Sequence, residues 1–124
     1  MQILKNAWFE RFAKKEKISE DMLKAVIENA QKGLIDADLG NGVIKQRISR
    51  PNQGKSGGYR SIILYLQGDK AVFVYGYAKS QKNNIRSNEK QAFKDMANYV
   101  FALSKAQIKA LVDNKQFFEV NNDD

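Results

Sequence analysis

Residues 59–79 read YRSIILYL, then QGDK, then AVFVYGYAK, and this stretch decides the fold class. Its first and third parts are rich in β-branched and aromatic residues, which favour strands. The four residues between them are typical of a tight hairpin turn. The stretch therefore predicts two antiparallel strands, over 59–66 and 71–79. Alternation places four side chains on one face of the second strand, namely Phe73, Tyr75, Tyr77 and Lys79.

An earlier segment, residues 43–49, reads VIKQRIS and alternates with the same period of two. Lys45 and Arg47 fall on one face of it, and the larger apolar residues fall on the other. This pattern predicts a third strand. A flexible, glycine-bearing loop over 51–58 would join it to the two strands that follow, so the three form a meander.

Helical periodicity precedes the strands. Apolar residues recur at helical spacing over 6–16 and again after Ser19, which can cap a second helix. Gly33 can end that helix. Residues 33–42 are then predicted as loop.

Two further helices are predicted after the strands. An apolar stripe at helical spacing runs over 92–101, and Ser104 begins another helix with Gln107 in the capping-box position. The order of elements predicts an α+β fold, with N-terminal helices packed on a small antiparallel sheet and with C-terminal helices. We expect one domain over 1–120, followed by a frayed acidic tail over 121–124.

Positive charge is concentrated in the middle of the chain. The 124 residues include 21 Lys and Arg against 14 Asp and Glu. Residues 39–88 hold nine of the basic residues and a single acid, Asp69, whereas the two flanking parts are close to neutral. Such a field attracts a polyanion, and nucleic acid is the commonest one. An ordinary solvated basic surface is the alternative.

Several function classes are excluded or disfavoured by residues that the sequence lacks. It contains no Cys and no His, which excludes thiol catalysis, Ser-His-Asp triads and cysteine-ligated metal sites. Asp36 and Asp38 have no third ligand at a recognisable spacing, so we expect no metal and no cofactor. The run over 53–58 lacks the first glycine of a phosphate-binding loop, since Ser49 stands there. With no membrane-spanning run and no signal peptide, a cytoplasmic location is predicted.

Basic residues of the predicted strands are the best candidates for chemistry. Lys45 and Arg47 share a face, Arg60 opens the next strand and Lys79 ends the last one. In a meander these positions can converge on one surface, where arginine matches phosphate and aromatic rings stack on bases. Without His, cleavage of RNA by attack of the 2′-hydroxyl would need Lys, Tyr, Arg or a carboxylate as acid and base. The clustered cations are expected to lower the pKa of a Lys or Tyr among them.

Two runs, GKSGGYRSI over 54–62 and VYGYAK over 74–79, resemble the RelE/HigB group of bacterial type II toxins, within the RelE/ParE superfamily. The upstream pieces FERFA over 9–13, GLIDADLG over 33–40 and IKQRI over 44–48 agree with it. The resemblance implies a small α+β toxin. Most members of the group are mRNA endonucleases, many of which act in the ribosomal A site, and a cognate antitoxin neutralises them.

Site residues follow from the resemblance position by position. The arginine after the double glycine, the two basic residues of the first strand and the lysine after the last strand are implied to be catalytic: Arg60, Lys45, Arg47 and Lys79. Six others are predicted to bind RNA: Lys55, Arg50, Tyr59, Tyr77, Lys82 and Arg86. The family's C-terminal catalytic tyrosine or histidine has no counterpart here. The general base therefore stays open, with three tyrosines as weaker candidates: Tyr65, Tyr75 and Tyr77.

The function predicted from this resemblance is a ribosome-dependent, metal-independent mRNA endonuclease. Its partners would be mRNA, the ribosome and an antitoxin, with no membrane and no small-molecule cofactor. Two alternatives stay open. A ParE-like toxin of the same superfamily would inhibit DNA gyrase without cutting RNA, and a non-catalytic basic domain would only bind nucleic acid.

Overall fold

The computed structural model describes residues 1–49 and 58–120, and it confirms an α+β fold. The acidic tail over 121–124, most of the loop predicted over 51–58, and the site candidates Arg50 and Lys55 lie outside the described residues. Within the described ranges the elements, in chain order, are β1 (Gln2–Asn6), α1 (Ala7–Glu16), α2 (Glu20–Gln31), β2 (Ala37–Gly40), β3 (Val43–Ile48), β4 (Tyr59–Leu66), β5 (Lys70–Ala78), α3 (Ser87–Phe101), α4 (Lys105–Asp113) and β6 (Phe117–Glu119).

The described strands form one sheet in the order β2-β3-β4-β5-β1-β6. The predicted meander is confirmed, because β3 pairs antiparallel with β4, and β4 with β5. The sheet is nevertheless larger than the three predicted strands. β1 lies parallel to β5, with Leu4 opposite Val72, and antiparallel to β6. These pairings join segments far apart in the chain, so the periodicity of such short segments does not reveal them.

The prediction of loop over 33–42 is wrong for Ala37–Gly40, which form β2 and pair antiparallel with β3. The segment has little strand propensity of its own, since it contains Asp and Gly. It is held by backbone pairing and by Gln46 of β3. The side-chain amide of Gln46 accepts a hydrogen bond from the N–H of Asp36 at 2.7 Å and donates one to the carbonyl of Leu34 at 3.0 Å. The neighbouring strand therefore decides this conformation.

Two helical layers cover the sheet, one on each face. Phe9 and Leu23 of α1 and α2 are buried in the core on one face, and Phe93 and Ile108 of α3 and α4 are buried in the core on the other. β4 lies in the middle and is buried along almost its whole length. Burial of apolar surface on both faces is the main source of stability. Within the described ranges, no helix has the length and apolar composition that crossing a bilayer requires.

The starts of α1, α2 and α4 are set by side chains that accept hydrogen bonds from the first turn. The Oδ1 atom of Asn6 accepts from the N–H of Phe9 at 2.8 Å, so α1 begins one residue later than predicted. The predicted serine caps are confirmed. The hydroxyl of Ser19 caps α2, and Ser104 and Gln107 form a reciprocal capping box at α4.

A β-bulge interrupts β5 and changes the predicted arrangement of its side chains. Two consecutive residues of β4, Ile62 and Ile63, lie opposite Tyr75 and Phe73, so β5 has one extra residue between them. Phe73 packs towards α1, whereas Tyr75 and Tyr77 lie on the face covered by α3. The prediction that Phe73 shares a face with these tyrosines is wrong, because the extra residue shifts the alternation.

Candidate functional site

A row of three residues crosses the middle of the sheet on the face covered by α3. Arg47 on β3 lies opposite Arg60 on β4, and Arg60 lies opposite Tyr77 on β5. Side chains in register on neighbouring strands point to the same side, with Cβ atoms about 5 Å apart. Sheet register therefore brings three of the predicted site residues together. We call Arg47, Arg60 and Lys82, which stands between β5 and α3, the cation cluster; Tyr77 lies beside them.

Arg60 is a buried cation without an acidic partner. Its side chain is 9% exposed, and its Nη1 donates a long hydrogen bond of 3.5 Å to the carbonyl oxygen of Tyr59. Within residues 1–49 and 58–120, no Asp or Glu forms an ion pair with it. A guanidinium that loses water without gaining a counter-ion costs folding free energy. An anion delivered to this face would recover that free energy.

The hydroxyl of Tyr77 is buried beside the cations and has no hydrogen-bond partner in the described part of the chain. Burial raises the pKa of Tyr77, and the positive charges of Arg60 and Lys82 offset this only in part. The expectation that clustered cations lower the pKa is therefore wrong here, because the cost of desolvating the phenolate outweighs their attraction. The hydroxyl is protonated at neutral pH and can donate a hydrogen bond.

Lys82 lies over the rings of two tyrosines and is fixed by an acid. Its Nζ is 5.3 Å from the ring centroid of Tyr75 and 6.0 Å from that of Tyr77. It donates hydrogen bonds of 2.8 and 2.9 Å to the carboxylate of Glu89. These bonds raise the pKa of Lys82 and lower that of Glu89. The expected lowering of a lysine pKa is thus wrong at Lys82, since its nearest charged neighbour is negative.

Lys45 lies on the same face as Arg47, two residues away along β3, and is half-buried. Its Nζ donates to the Oδ1 atom of Asn84 at 3.3 Å, and the same oxygen accepts the N–H of Ile85 at 2.9 Å. The contact ties β3 to the segment that precedes α3. Asn84 thereby holds this lysine next to the cation cluster.

The remaining predicted site residues lie at the surface or outside the described ranges. Arg47 is exposed at the outer end of the row. Lys79 is exposed one residue beyond β5, and Arg86 is exposed at the N-cap of α3. The structure assigns no position to Arg50 or Lys55. The described candidates on this face thus divide into a buried arginine and tyrosine and several basic side chains that are exposed or half-buried.

Tyr59, a predicted RNA-binding residue, lies in the core on the opposite face of the sheet. Adjacent residues of a strand point to opposite sides, so Tyr59 faces α1 because Arg60 faces α3. Its side chain is 1% exposed, and its hydroxyl donates to a carboxylate oxygen of Glu16 at 2.7 Å. Packing on this face removes Tyr59 from the candidate RNA contacts.

Two positioning residues, Glu89 and Asn84, are absent from the sequence-based prediction. Glu89 stands three residues after Arg86, which is the spacing of a capping box, and its carboxylate accepts the N–H of Arg86 at 2.8 Å. That spacing is the one signal in the sequence. The contact between Glu89 and Lys82 depends on the turn between β5 and α3, which no local pattern predicts.

The two aspartates considered as metal ligands serve the local backbone. Oδ2 of Asp36 accepts the N–H of Arg47 at 2.6 Å, and Oδ1 of Asp38 accepts the N–H of Gly40 at 2.9 Å. Among residues 1–49 and 58–120, no group of three or more His, Cys, Asp or Glu residues is placed to hold a metal ion. In the described part of the chain, the candidate site is therefore a cationic surface.

A groove of about 1010 Å³ opens elsewhere, at the end of the sheet where β1, β6 and α4 meet. Its lining includes Lys70, Lys109 and Glu119, and it contains none of the predicted site residues. The cation cluster lies outside it, on the sheet face itself, which suits an extended polymer better than a small molecule.

A match to a known protein family covers nearly the whole chain. A family model described as the RelE toxin of the RelE / RelB toxin–antitoxin system matches residues 1–120. No curated protein is significantly similar to the chain. The match covers every described element and both helical layers.

Proposed function

Because the chain belongs to the RelE toxin family, the toxin component of a toxin–antitoxin system, we propose that it is a metal-independent endoribonuclease. Membership of the family also implies an antitoxin as its partner. Its proposed substrate is mRNA on the ribosome, in the cytoplasm. The observation that carries the proposal is the buried Arg60 beside the buried hydroxyl of Tyr77, neither of which has an acidic or hydrogen-bonding side-chain partner within residues 1–49 and 58–120. A phosphate group would supply both with the partner they lack.

The proposed reaction needs no group beyond the RNA and the protein. The ribose 2′-oxygen attacks the adjacent phosphorus while its proton passes to a base. The bond from phosphorus to the 5′-oxygen breaks, and that oxygen takes up a proton from an acid. The products are a 2′,3′-cyclic phosphate and a 5′-hydroxyl. Negative charge increases on the non-bridging oxygens in the transition state, which is where fixed cations act most strongly.

Each residue of the cluster has a proposed role in this reaction. Arg60 and Arg47 stabilise the phosphate charge, since guanidinium groups match phosphate oxygens in pairs. Tyr77, protonated at neutral pH, donates to the phosphate or to the leaving oxygen. Lys45 and Lys79 bind the RNA backbone and take part in proton transfer. The remaining predicted contacts with the RNA backbone are Lys82, Arg86, Arg50 and Lys55.

The proposal is tested by mapping 5′ ends of a reporter mRNA after brief induction of the protein, with and without a start codon on the reporter. We expect cuts inside the coding region that require translation. Arg60→Ala should lower cleavage about 100- to 1000-fold, the scale for one lost group that stabilises developing charge. Arg11→Ala, which removes an exposed arginine of α1, is the matched control and should cleave like the unmodified chain.

Other outcomes would overturn part or all of the proposal. Growth arrest with intact mRNA would favour an inhibitor of the gyrase type. Cuts that do not need the start codon would retain the nuclease and reject its dependence on the ribosome. Full cleavage by Arg60→Ala would reject the site, and neither arrest nor cleavage would reject the activity.

A further inference from the structure

Two partly exposed aromatic rings, those of Trp8 and Tyr75, border the cation cluster. Trp8, in the first turn of α1, is 39% exposed. Its ring centroid lies 4.7 Å from that of the half-buried Tyr75, with the two planes inclined by 34°. β1 pairs with β5 only as far as Phe73, and α1 then brings Trp8 alongside the part of β5 that follows. The indole also stacks on Phe12, with ring centroids 5.3 Å apart and planes inclined by 16°, and its 39% exposure leaves part of its surface open to solvent.

The pair is continuous with the cation cluster. The ring centroid of Tyr75 is 6.0 Å from that of Tyr77, and the Nζ of Lys82 is 5.3 Å from the ring centroid of Tyr75. One partly exposed aromatic surface therefore runs from Trp8 to the edge of the cations. A flat apolar surface next to fixed positive charge matches a nucleotide, which carries a flat base and an anionic phosphate.

We propose that Trp8 and Tyr75 form a stacking site for one unpaired nucleobase of a single-stranded RNA whose neighbouring phosphate is bound by the cation cluster. The proposal rests on the proposed nuclease function and extends it to a subsite for the substrate. Stacking uses the face of the base and not its hydrogen-bonding edge, so the site accepts any of the four bases. A purely apolar protein segment is a poorer match, because Lys82 stands at the border.

The sole tryptophan of the chain is the residue in question, so its fluorescence reports directly on the site. The full chain is titrated with a single-stranded oligonucleotide that lacks 2′-hydroxyls and is therefore not cleaved. An abasic oligonucleotide of equal length and charge serves as the comparison probe. We expect saturable quenching by the first probe, and weaker binding without quenching by the second.

Variants are compared by fluorescence anisotropy of a labelled probe, because Trp8→Ala has no tryptophan to observe. Trp8→Ala should weaken binding of the base-containing probe roughly 5- to 100-fold and leave the abasic probe unaffected. Trp8→Phe keeps an aromatic face and should lose much less. Tyr99→Ala removes another exposed aromatic side chain, 63% exposed on α3, and should bind like the unmodified chain. If Trp8→Ala fails to fold, Trp8→Phe and the quenching of the unmodified chain decide.

Failure of this proposal can be told apart from failure of the nuclease. Equal binding of both probes, equal binding by Trp8→Ala, or no binding by the unmodified chain would overturn the stacking site, even if cleavage that depends on Arg60 persists. Loss of binding in Trp8→Ala together with unaltered cleavage by Arg60→Ala would instead retain the base site and overturn the proposed catalytic centre.

Discussion

Lys5 and Arg60 are buried cations on opposite faces of the same sheet, and they differ in their partners. Lys5 on β1 is 6% exposed, and its Nζ lies 2.6 Å from a carboxylate oxygen of Glu10 and 3.6 Å from one of Glu20. Arg60 on β4 is 9% exposed and forms no ion pair with an acid in the described ranges. Both cations lose water on folding. Carboxylates take its place around Lys5 but, within the described ranges, not around Arg60.

The ion pairs of Lys5 are part of the fold. They connect β1 to both helices of one layer, since Glu10 belongs to α1 and Glu20 to α2. Burial opposes the ionisation of Glu10, but the contacts with Lys5 and Lys14 outweigh it, so the pKa of Glu10 is lowered. A cation whose counter-ions come from its own chain contributes to stability. A cation without such counter-ions has no such contact to lose when it is replaced, and the two cases can be separated by experiment.

The largest expected effect is on stability and separates the two cations directly. Lys5→Met leaves Glu10 without its closest partner, and we expect the free energy of unfolding to fall by about 3 kcal/mol. Arg60→Met removes a cation that forms no ion pair in the described ranges, so the free energy of unfolding should be unchanged or higher. Urea denaturation of both variants measures this. Equal destabilisation by the two substitutions would remove the distinction drawn between these cations.

A smaller effect is expected at the neighbouring tyrosine, and it is on activity. Tyr77→Phe deletes a hydroxyl that has no hydrogen-bond partner in the described ranges, so stability should be retained. Cleavage should fall by at least about tenfold, because the proposed donor to the phosphate or the leaving oxygen is lost. Tyr65, which the sequence offered as a weaker candidate base, lies in the core on the opposite face of the sheet. Tyr65→Phe is therefore the matched control, because the Tyr65 hydroxyl is also buried without a partner in the described ranges and burial raises its pKa. Single-turnover cleavage should be unaltered there. Equal losses in both variants would argue against a role for the Tyr77 hydroxyl.

The smallest expected effect is on stability and concerns the ion pair of Lys82 and Glu89. Here the cation has an acidic partner, as Lys5 has, but the pair is more exposed to solvent. The pKa of Glu89 is lowered from 4.5, so its contribution to stability is present above pH 4.5 and is lost as the pH falls through the folded-state value. The pKa of Lys82 is raised from 10.5, so its contribution is present below pH 10.5 and is lost as the pH rises through the folded-state value. The pair therefore stabilises the fold between these limits.

Glu89→Gln should lower the free energy of unfolding by less than about 1 kcal/mol at neutral pH, with the difference vanishing in strong acid. Thermal denaturation across the pH range measures it. Asp113→Asn breaks the more exposed helical pair of Lys109 and Asp113 and should change stability less. A loss in Glu89→Gln that stays constant down to strong acid would point to packing and not to the ion pair.

Local features were predictable from sequence. The bounds of β4 over 59–66 and the caps Ser19 and Ser104 match the prediction, because strand propensity and capping depend on residues close together in the chain. β2 and the placement of Phe73 were not predictable. The first depends on pairing with a neighbouring strand, and the second depends on one extra residue that only the register between β4 and β5 reveals.

The candidate site shows the same division. Tyr59 was expected to bind RNA and the adjacent Arg60 to be catalytic, but strand geometry places their side chains on opposite faces of the sheet. The row of Arg47, Arg60 and Tyr77 was not predictable, because it depends on the register between three strands. Lys82 was named from sequence, but its partner Glu89 was not, because their contact forms across a turn.

The sequence by itself determined the α+β class, the concentration of positive charge over 39–88 and the resemblance to RelE toxins. These properties depend on composition, on local periodicity and on short motifs. Only the tertiary structure decided which cations are paired, which two tyrosine hydroxyls have no partner in the described part of the chain and which aromatic rings border the cluster. Electrostatic pairing depends on distances between residues remote in the chain, and those distances exist only once β1, β4, β5 and the helices are packed together.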